Sequence, residues 1–546
     1  MAATVALDPF NDERRGFQFR VNPVGVQVDA VFSEINSEDD FSWDAIWNSA
    51  AKVDDKGWTV EIAIPVQQLR FPRTEGPQTW GFEAFRSYPR NVRYRISSRY
   101  TDRAKDCILC QEMKITGFEG LKPGRNLELT PTLTALRTDS LQDFPDGGLI
   151  KGDEELEPGL NARWGITPNA TLNLAINPDF SQVEADTAQL AVNTRFALFF
   201  PEKRPFFLEG ADLYLTPLQA VFTRTVADPD WGVKFNTKEG KNAFSLFAAD
   251  DDVTTILIPG SQGSANTSVD EKVQSGVIRY RRDLGRASSV GVLYTGRDGQ
   301  GYYNHVGGID GFARFTSSDT IRLQYLTSDT RYPLVVANRF GQNRDSFSGD
   351  AFHLQYDHFA QDWKGFVSYQ ELDPEFRADS GFVPRVDVKT AAAYGERFFY
   401  GAEEDWYARW SLGFRGNNTK NFDSDLLDRN VEVFGTLDGP YQSLLQVLAR
   451  RQKTLFAGQT FDLDQQEIGF AINPSGNVRL RFNGLFGDQI DFTNAQLAKI
   501  EQYNPGVQLR LGQHMNLQLA HILQTLDVPG GRLFTANQTE VRMFYQ

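Results

Sequence analysis

The chain has 546 residues, with 56 Lys and Arg against 71 Asp and Glu and a formal net charge of −15. That length exceeds what one compact core organises, so at least two units are expected, and the acidic balance excludes a nucleic-acid backbone as partner, which needs clustered bases. Mean hydropathy is −0.42, and no window holds the roughly 18 uninterrupted apolar residues of a spanning helix, which excludes a helical membrane protein but leaves a β-barrel open. The 42 Phe, 18 Tyr, 9 Trp and 46 Gly suit aromatic girdles and tight turns, and equally suit a large soluble β-protein.

The opening Met1-Ala2-Ala3 carries no basic and apolar leader. The string LDPFNDERRGFQFRVNPVGVQVDA then reads as mid-domain, so the start of the domain is expected to lie upstream. DPFND (8–12), followed by Glu13, clusters oxygen ligands of the kind that suit Ca²⁺, but without EF-hand spacing. A solvated turn is the expected reading. No cofactor or metal is assigned, and structural calcium is left without a clear motif. Residues 16–21 and 24–32 alternate as strands joined by the turn signal Asn22-Pro23. Trp58, Val60, Ile62 and Ile64 form a half-buried stripe ended by Pro65, and another strand is expected over 79–88.

Trp43 and Trp47 have i,i+4 spacing. Exposed indole faces stack on sugar rings, so both are candidate carbohydrate contacts, although core packing is the expected role of each. Cys107 and Cys110 form a lone CxxC without a redox βαβ context or a second ligand pair, and a local disulfide is the expected state.

Residues 119–125 read as a linker between a β-sandwich over 1–118 and a second unit over 126–546. In that second unit Leu172, Leu174 and Ile176 alternate with Thr171, Asn173 and Ala175. Trp406, Trp410, Leu412 and Phe414 alternate with Arg409 and Arg415, and Val478, Leu480 and Phe482 with Arg479, Arg481 and Asn483. Such dyads place one stripe against apolar surroundings and the other against water or a polar lumen. Long polar connections at 146–159 and 250–272 contrast with the minimal Thr167-Pro168-Asn169, as in a barrel with short turns on one side and long loops on the other. The end, ANQTEVRMFYQ, reads as a strand in progress, so the closing strands are expected to lie beyond it.

Residues 177–210, NPDFSQVEADTAQLAVNTRFALFFPEKRPFFLEG, set a charge cluster (Asp179, Glu184, Asp186, Arg195, Glu202, Lys203, Arg204 and Glu209) among phenylalanines and prolines. A structural element held by ion pairs inside a barrel is expected, because buried charges persist only when paired. Read chemically, two of these carboxylates would form the acid and base of a glycoside hydrolase. The five histidines show no HExxH spacing, and no GxSxG, P-loop or dinucleotide fingerprint is present, so no catalytic residue is assigned.

This segment closely resembles the signature of a family of Gram-negative outer-membrane β-barrel proteins of unassigned function. The string WDAIWNSAAKVDDKGWTVEIAIPVQQLRF (43–71) resembles the C-terminal half of a family 9 carbohydrate-binding module. Together these imply an all-β chain in which a partial carbohydrate-binding-like β-sandwich precedes a large antiparallel outer-membrane-type β-barrel. They further imply outer-membrane lipid and a glycan or polysaccharide as partners, with the first domain in the periplasm or at the surface. Glycan binding or handling at the cell envelope is the expected function. A membrane-associated glycoside hydrolase, and a structural or transport barrel without sugar binding, are its alternatives.

Overall fold

The computed structural model describes residues 2–34, 38–41, 43–72, 76–121, 127–142, 147–167, 169–178, 186, 189–269, 271–285, 288–402, 404–512 and 514–545. The chain is all-β. A seven-stranded sheet with a separate hairpin makes up the first domain, and a 20-stranded antiparallel sheet makes up the second.

Alternation builds the first sheet. In Arg15–Val21, Phe17, Phe19 and Val21 are buried in the core, while Gln18 and Arg20 take the opposite face. The order is Glu38–Asp40, Gln27–Ser33, Arg15–Val21, Ala2–Asp8, Gln78–Pro89 and Arg93–Ser97, with Met113–Phe118 also paired to Gln78–Pro89. The hairpin Asn48–Asp54 and Gly57–Ala63 lays Val60 and Ile62 against this core, making the second layer. The strand expected from residue 24 starts only at Gln27, because the Asn22 side chain accepts the backbone N–H groups of Val24 (3.0 Å) and Val26 (2.9 Å) and holds those residues in a turn.

The second sheet runs from Leu127–Arg137 to Gly531–Tyr545, each strand bonded to the next in chain order, with two small hairpins set outside it. Among the described residues its first and last strands are not paired to each other. Nearly every strand carries an apolar stripe on one side and polar or small residues on the other. In Ser288–Gly299 the exposed positions include Val290, Val292 and Tyr294, and the buried ones include Ser289, Leu293, Thr295 and Arg297. Leu412, Phe414, Val431 and Val433 are likewise 52–55% exposed and lie side by side through the Phe414↔Val433 register. So large an apolar outer face has no soluble counterpart, and it is the lipid-facing band of an outer-membrane-type barrel wall. Arg409 and Arg415 lie on the opposite stripe, paired with Asp438 (2.7 Å) and Glu432 (3.5 Å).

Expectations for the second unit also change. The dyad read from Trp406 becomes strand only at Arg409, and Trp406, 68% exposed, packs against Tyr407 in the preceding connection. The polar stretch 250–272 is not an open loop but contains the hairpin Thr254–Ile258 with Ala265–Val269, whose β-branched residues match its pairing. A seven-residue helix, Leu334–Phe340, sits in the connection between two wall strands. Pro168, Asn126 and most of the linker lie outside the described residues.

An arginine on the outer stripe is expected to block assembly. Val433→Arg puts a guanidinium in the band at a cost of about 2–4 kcal/mol at mid-membrane. Folding into lipid vesicles, followed by heat-modifiable gel mobility, should fail for this variant and proceed for Arg415→Leu.

Candidate functional site

The connections between strands of the large sheet differ at its two ends. At one end lie short links such as Glu239 to Asn242 and Arg314 to Asp319; at the other lie the 252–272 and 373–387 connections. The connection after Ala170–Ile176 leaves from this second end and turns inward. It reaches across the sheet: the Asn193 side chain bonds Ile490 O (2.8 Å) and accepts Phe492 N (2.9 Å), and Arg542, in the last strand, donates to Asp186 O (3.4 Å). It then descends to the short-link end, where Gly210 (φ +68°) lies against Asn236 and reverses the chain. Asp251 accepts Ala227 N (2.8 Å) and Asp228 N (2.7 Å), so the segment leaves by the end at which it entered.

Inside the wall the segment is irregular, and its backbone groups are met by wall side chains. Lys234 donates to Phe207 O (2.5 Å), Arg279 to Leu213 O (2.9 Å), and Gln324 accepts Leu218 N (2.6 Å). Phe207, Tyr214, Leu218, Ala220 and Val221 share one buried cluster with Phe247, Val277, Leu293 and Leu326 of the wall. A second connection, 373–387, folds in beside it. Phe222 N donates to Ser380 O (2.7 Å) and Phe382 N to Gln219 O (2.9 Å). Asp379 is buried there and accepts the hydroxyls of Tyr302 (2.8 Å) and Tyr332 (3.1 Å).

Among the described residues, charges of the cluster pair both within the segment and beyond it. Arg204 forks onto Glu202 (2.9 and 2.7 Å) and also donates to Val226 O (2.7 Å) and Thr223 O (2.8 Å). Asp186 pairs with Arg224 (2.6 Å). Arg195 instead reaches Asp428 on the wall (3.2 Å), a carboxylate shared with Arg385 (2.5 Å) and Thr454 (2.9 Å). Glu209 pairs with Arg70 of the first domain and Arg163 of the wall (3.4 Å). Lys203 lines a chamber between the first wall strands and the first domain. Asp179 and Glu184 lie outside the described residues. For Arg195 and Glu209 the fold brings the partners from the wall and from the first domain. Lys234, Arg279 and Asp428 were not singled out from the sequence; the one trace of them is a charged residue on the polar stripe of a strand pattern.

The first domain sits on the short-link end. Arg14 donates to Ser288 O (2.6 Å), Asp106 N to Ser317 O (2.7 Å), and Gln442 N to Asn91 O (2.8 Å). Ion pairs join the same surfaces: Arg15–Asp212 (3.3 Å), Arg314–Glu34 (3.4 Å), and Lys238 with Asp12. Asp12 therefore serves the contact, and among the described residues no group of three or more His, Cys, Asp or Glu is arranged to hold a metal ion. Cys107 and Cys110 are joined as a disulfide, in a loop whose Ile108 and Leu109 N–H groups donate to Glu34.

Trp43 and Trp47 are buried, 9% and 6% exposed, with Phe17 and Phe19 packed on their rings. That burial leaves no open indole face, which removes them as a stacking platform. On the other face of the sheet lies a cleft of about 680 Å³ lined by charged and aromatic side chains, with Gln442 at its edge. Here Arg20 bonds Gln18 (2.6 Å) and Asp39 (2.5 Å), and Glu83 takes Arg95 and Arg99 (2.8 Å each), so the polar groups are held in fixed orientation beside Phe85 and the exposed Tyr94. At its floor Glu112 is buried and neither carboxylate oxygen has a hydrogen-bond partner. Burial, then the neighbouring Asp8 and Glu83, pushes its carboxyl up to about 8. Burial and Asp12 push Asp8 up to about 7.

Two outcomes are expected. Arg204→Ala leaves Glu202 buried without its guanidinium and should cost about 3–5 kcal/mol, read as a lower urea midpoint in detergent. Because the folded carboxyls of Asp8 and Glu112 titrate above unfolded values of about 4, the folded state holds extra protons. The stability they contribute is full below about pH 4 and lost as pH rises through 7 to 8. Melting of the first domain, followed by near-UV circular dichroism, should fall between pH 5 and 8.5, and Glu112→Gln should flatten that slope.

A family model described as a domain of unknown function (DUF5916) matches residues 126–239, the span holding the first strands of the large sheet and the inward segment. No curated protein sequence matches. Among solved structures the chain is similar to OccAB3 of Acinetobacter baumannii, at 10% identity and a TM-score of 0.34, over 58% of this chain and 91% of that one. It is similar to OccK7 (OpdD) of Pseudomonas aeruginosa at 9% identity and a TM-score of 0.36, over 57% of this chain and 92% of that one. It is also similar to a chain of the E. coli P pilus tip assembly intermediate PapC-PapD-PapK-PapG, at 11% identity and a TM-score of 0.29, over 100% of this chain and 59% of that one.

Proposed function

We propose that this protein is an outer-membrane β-barrel of a Gram-negative bacterium whose first domain binds glycan at the cell envelope. The observation that carries the reading is the sheet-face cleft. Planar, ion-paired groups (Arg20, Asp39, Glu83 and Arg95) stand beside the exposed ring of Tyr94 above the unpartnered carboxyl of Glu112, with Arg95 stacked over Phe85 (3.8 Å to its centroid). Fixed donors and acceptors next to an aromatic face suit a sugar ring, whose hydroxyls need both and whose C–H face needs an apolar neighbour. The apolar outer band supports lipid as the second partner. The first domain caps the short-link end, which in barrels of this type faces the periplasm.

A second reading, glycoside hydrolysis, draws on one observation: Glu83 and Glu112 share the cleft, and Glu112 is pushed up to about 8, in the range of a proton donor. The carboxylates of the inward segment do not support it, since Glu202, Asp186 and Glu209 are each engaged by a guanidinium, and Glu83 is itself held by Arg95 and Arg99, so the reading stands on Glu112 alone.

A glycan array with the full chain in detergent, run beside reducing-end release, tests both. Binding without release, weakened about tenfold or more by Arg20→Ala or Arg95→Ala, is the expected outcome. Release abolished by Glu112→Gln would favour hydrolysis, and the absence of any bound glycan would leave a structural or transport barrel.

A further inference from the structure

Residues 85–105 of the first domain carry seven Lys and Arg against one acid, Asp102, in a chain whose net charge is −15. They comprise the end of Gln78–Pro89, the strand Arg93–Ser97 and the loop that follows it. Arg93–Ser97 is an edge strand of its sheet, and Arg93, Tyr94, Arg95 and Ile96 are all exposed. Pairing uses up only part of this charge. Arg95 and Arg99 share Glu83 (2.8 Å each), and Lys105 has Asp102 (3.8 Å). Arg86 lies over the Trp58 and Tyr88 rings (5.7 and 5.0 Å to the centroids). Arg90 meets the Tyr88 ring (4.1 Å) and Pro89 O (3.0 Å), Arg93 meets Ser87 Oγ (3.1 Å), and Arg103 meets the Tyr400 ring (5.9 Å). These last three are exposed, and among the described residues no carboxylate lies within ion-pair distance of them.

Exposed arginines are ordinary by themselves; the place of these is not. The arm lies against the short-link rim of the wall, where Gln442 donates to Asn91 O (2.8 Å) and Arg90 O (3.1 Å) and Ser318 to Ala104 O (2.9 Å). At that rim the outward stripe ends in exposed rings, Trp363, Phe399 and Trp410, and Trp406 and Tyr441 stand exposed in the connections between strands. Aromatic girdles of this kind mark the headgroup level of a barrel wall. Tyr94, Ile96 and Tyr100, exposed between the arginines, give the arm the mixed basic and apolar surface of an interfacial segment. Acids at the rim do not cancel it. Asp362 and Asp438 are held by Arg397 and Arg409 (2.7 Å each), and the acids at 403–405, with Glu83 and Asp102, are outnumbered by the cations of the arm.

We infer that this arm docks on the bilayer surface at the short-link end, with Arg90, Arg93 and Arg103 taking the phosphates of anionic phospholipid headgroups. The inference rests on the reading of the wall as a membrane-spanning barrel and is independent of glycan binding in the cleft. Arg93 also lines that cleft, so Arg90 and Arg103 carry the test.

The test is the anisotropy of acyl-chain-labelled phosphatidylglycerol and phosphatidylcholine, titrated with the full chain folded in detergent. Phosphatidylglycerol should bind more tightly, with an advantage that shrinks at high salt. A cation at a membrane surface is worth roughly fivefold in affinity, so the double variant Arg90→Gln, Arg103→Gln should lose about tenfold or more for phosphatidylglycerol and nothing for phosphatidylcholine. Arg20→Ala in the cleft, and Arg344→Gln in the connection after Leu334–Phe340 at the opposite end, should bind as wild type. Heat-modifiable mobility of the double variant should match wild type, because both side chains are exposed. Equal binding of the two lipids, a preference kept by the double variant, or a preference lost equally in Arg344→Gln would each overturn the inference. Polygalacturonate bound by wild type and lost in the double variant, with no lipid preference, would assign the arm to an acidic glycan instead. A wild-type chain without a heat-modifiable folded form would sink the barrel reading and the inference together, whereas a folded chain without lipid preference would sink the inference alone.

Discussion

Irregular backbone enclosed by a β-wall has no ladder to satisfy it, and everything else in the second domain follows from how this protein meets that demand. Lys234 and Arg279 donate to the carbonyls of Phe207 and Leu213, and Arg297 donates to the carbonyls of Thr255 and Asp379. Each is a cation that would be expensive on the inner stripe by itself and a carbonyl that would be expensive in the lumen by itself. Together they are one solution to two problems. The polar inner stripe and the inward segments are therefore mutually required. The same logic sets their sites of contact, because a wall cation must stand wherever a carbonyl turns outward.

The first domain is held by a related device. Its contact with the barrel is mixed in sign rather than apolar, running from Arg15 and Arg70 through Asp12 to Glu34. Two acidic partners in that seam, Glu209 and Asp212, belong to the inward segment and not to the wall. The first domain thus holds the wall and its filling at once. Contacts of this kind resemble the more polar interfaces between units that keep separate cores, and the cores here are separate.

Much of the architecture was legible because strands advertise themselves by a period of two. Leu172, Leu174 and Ile176 alternated as the strand that they form, and Leu412 and Phe414 stood on the stripe that faces outward. Pairings across the lumen were not legible. Arg195 meets Asp428 more than 200 residues away, and nothing in the spacing of either announces the other. Trp43 and Trp47 illustrate the opposite limit: their i,i+4 spacing fits an exposed face as well as a buried one, and the decision belongs to Phe17 and Phe19, which arrive from a neighbouring strand. The hairpin within 250–272 was hidden by its polar flanks, although Thr254, Thr255, Ile256 and Ile258 carried the β-branched signal.

The inward segment enters and leaves by the same mouth, between two strands that are neighbours in the sheet. The wall is consequently a continuous series of adjacent pairings that never has to thread around its contents. Strand-to-strand closure is local in sequence, whereas seating the segment against Ser245, Gln324 and Ser380 closes much longer loops. The pairings of the wall therefore carry the small loop-closure costs, and the contacts that seat its contents carry the large ones.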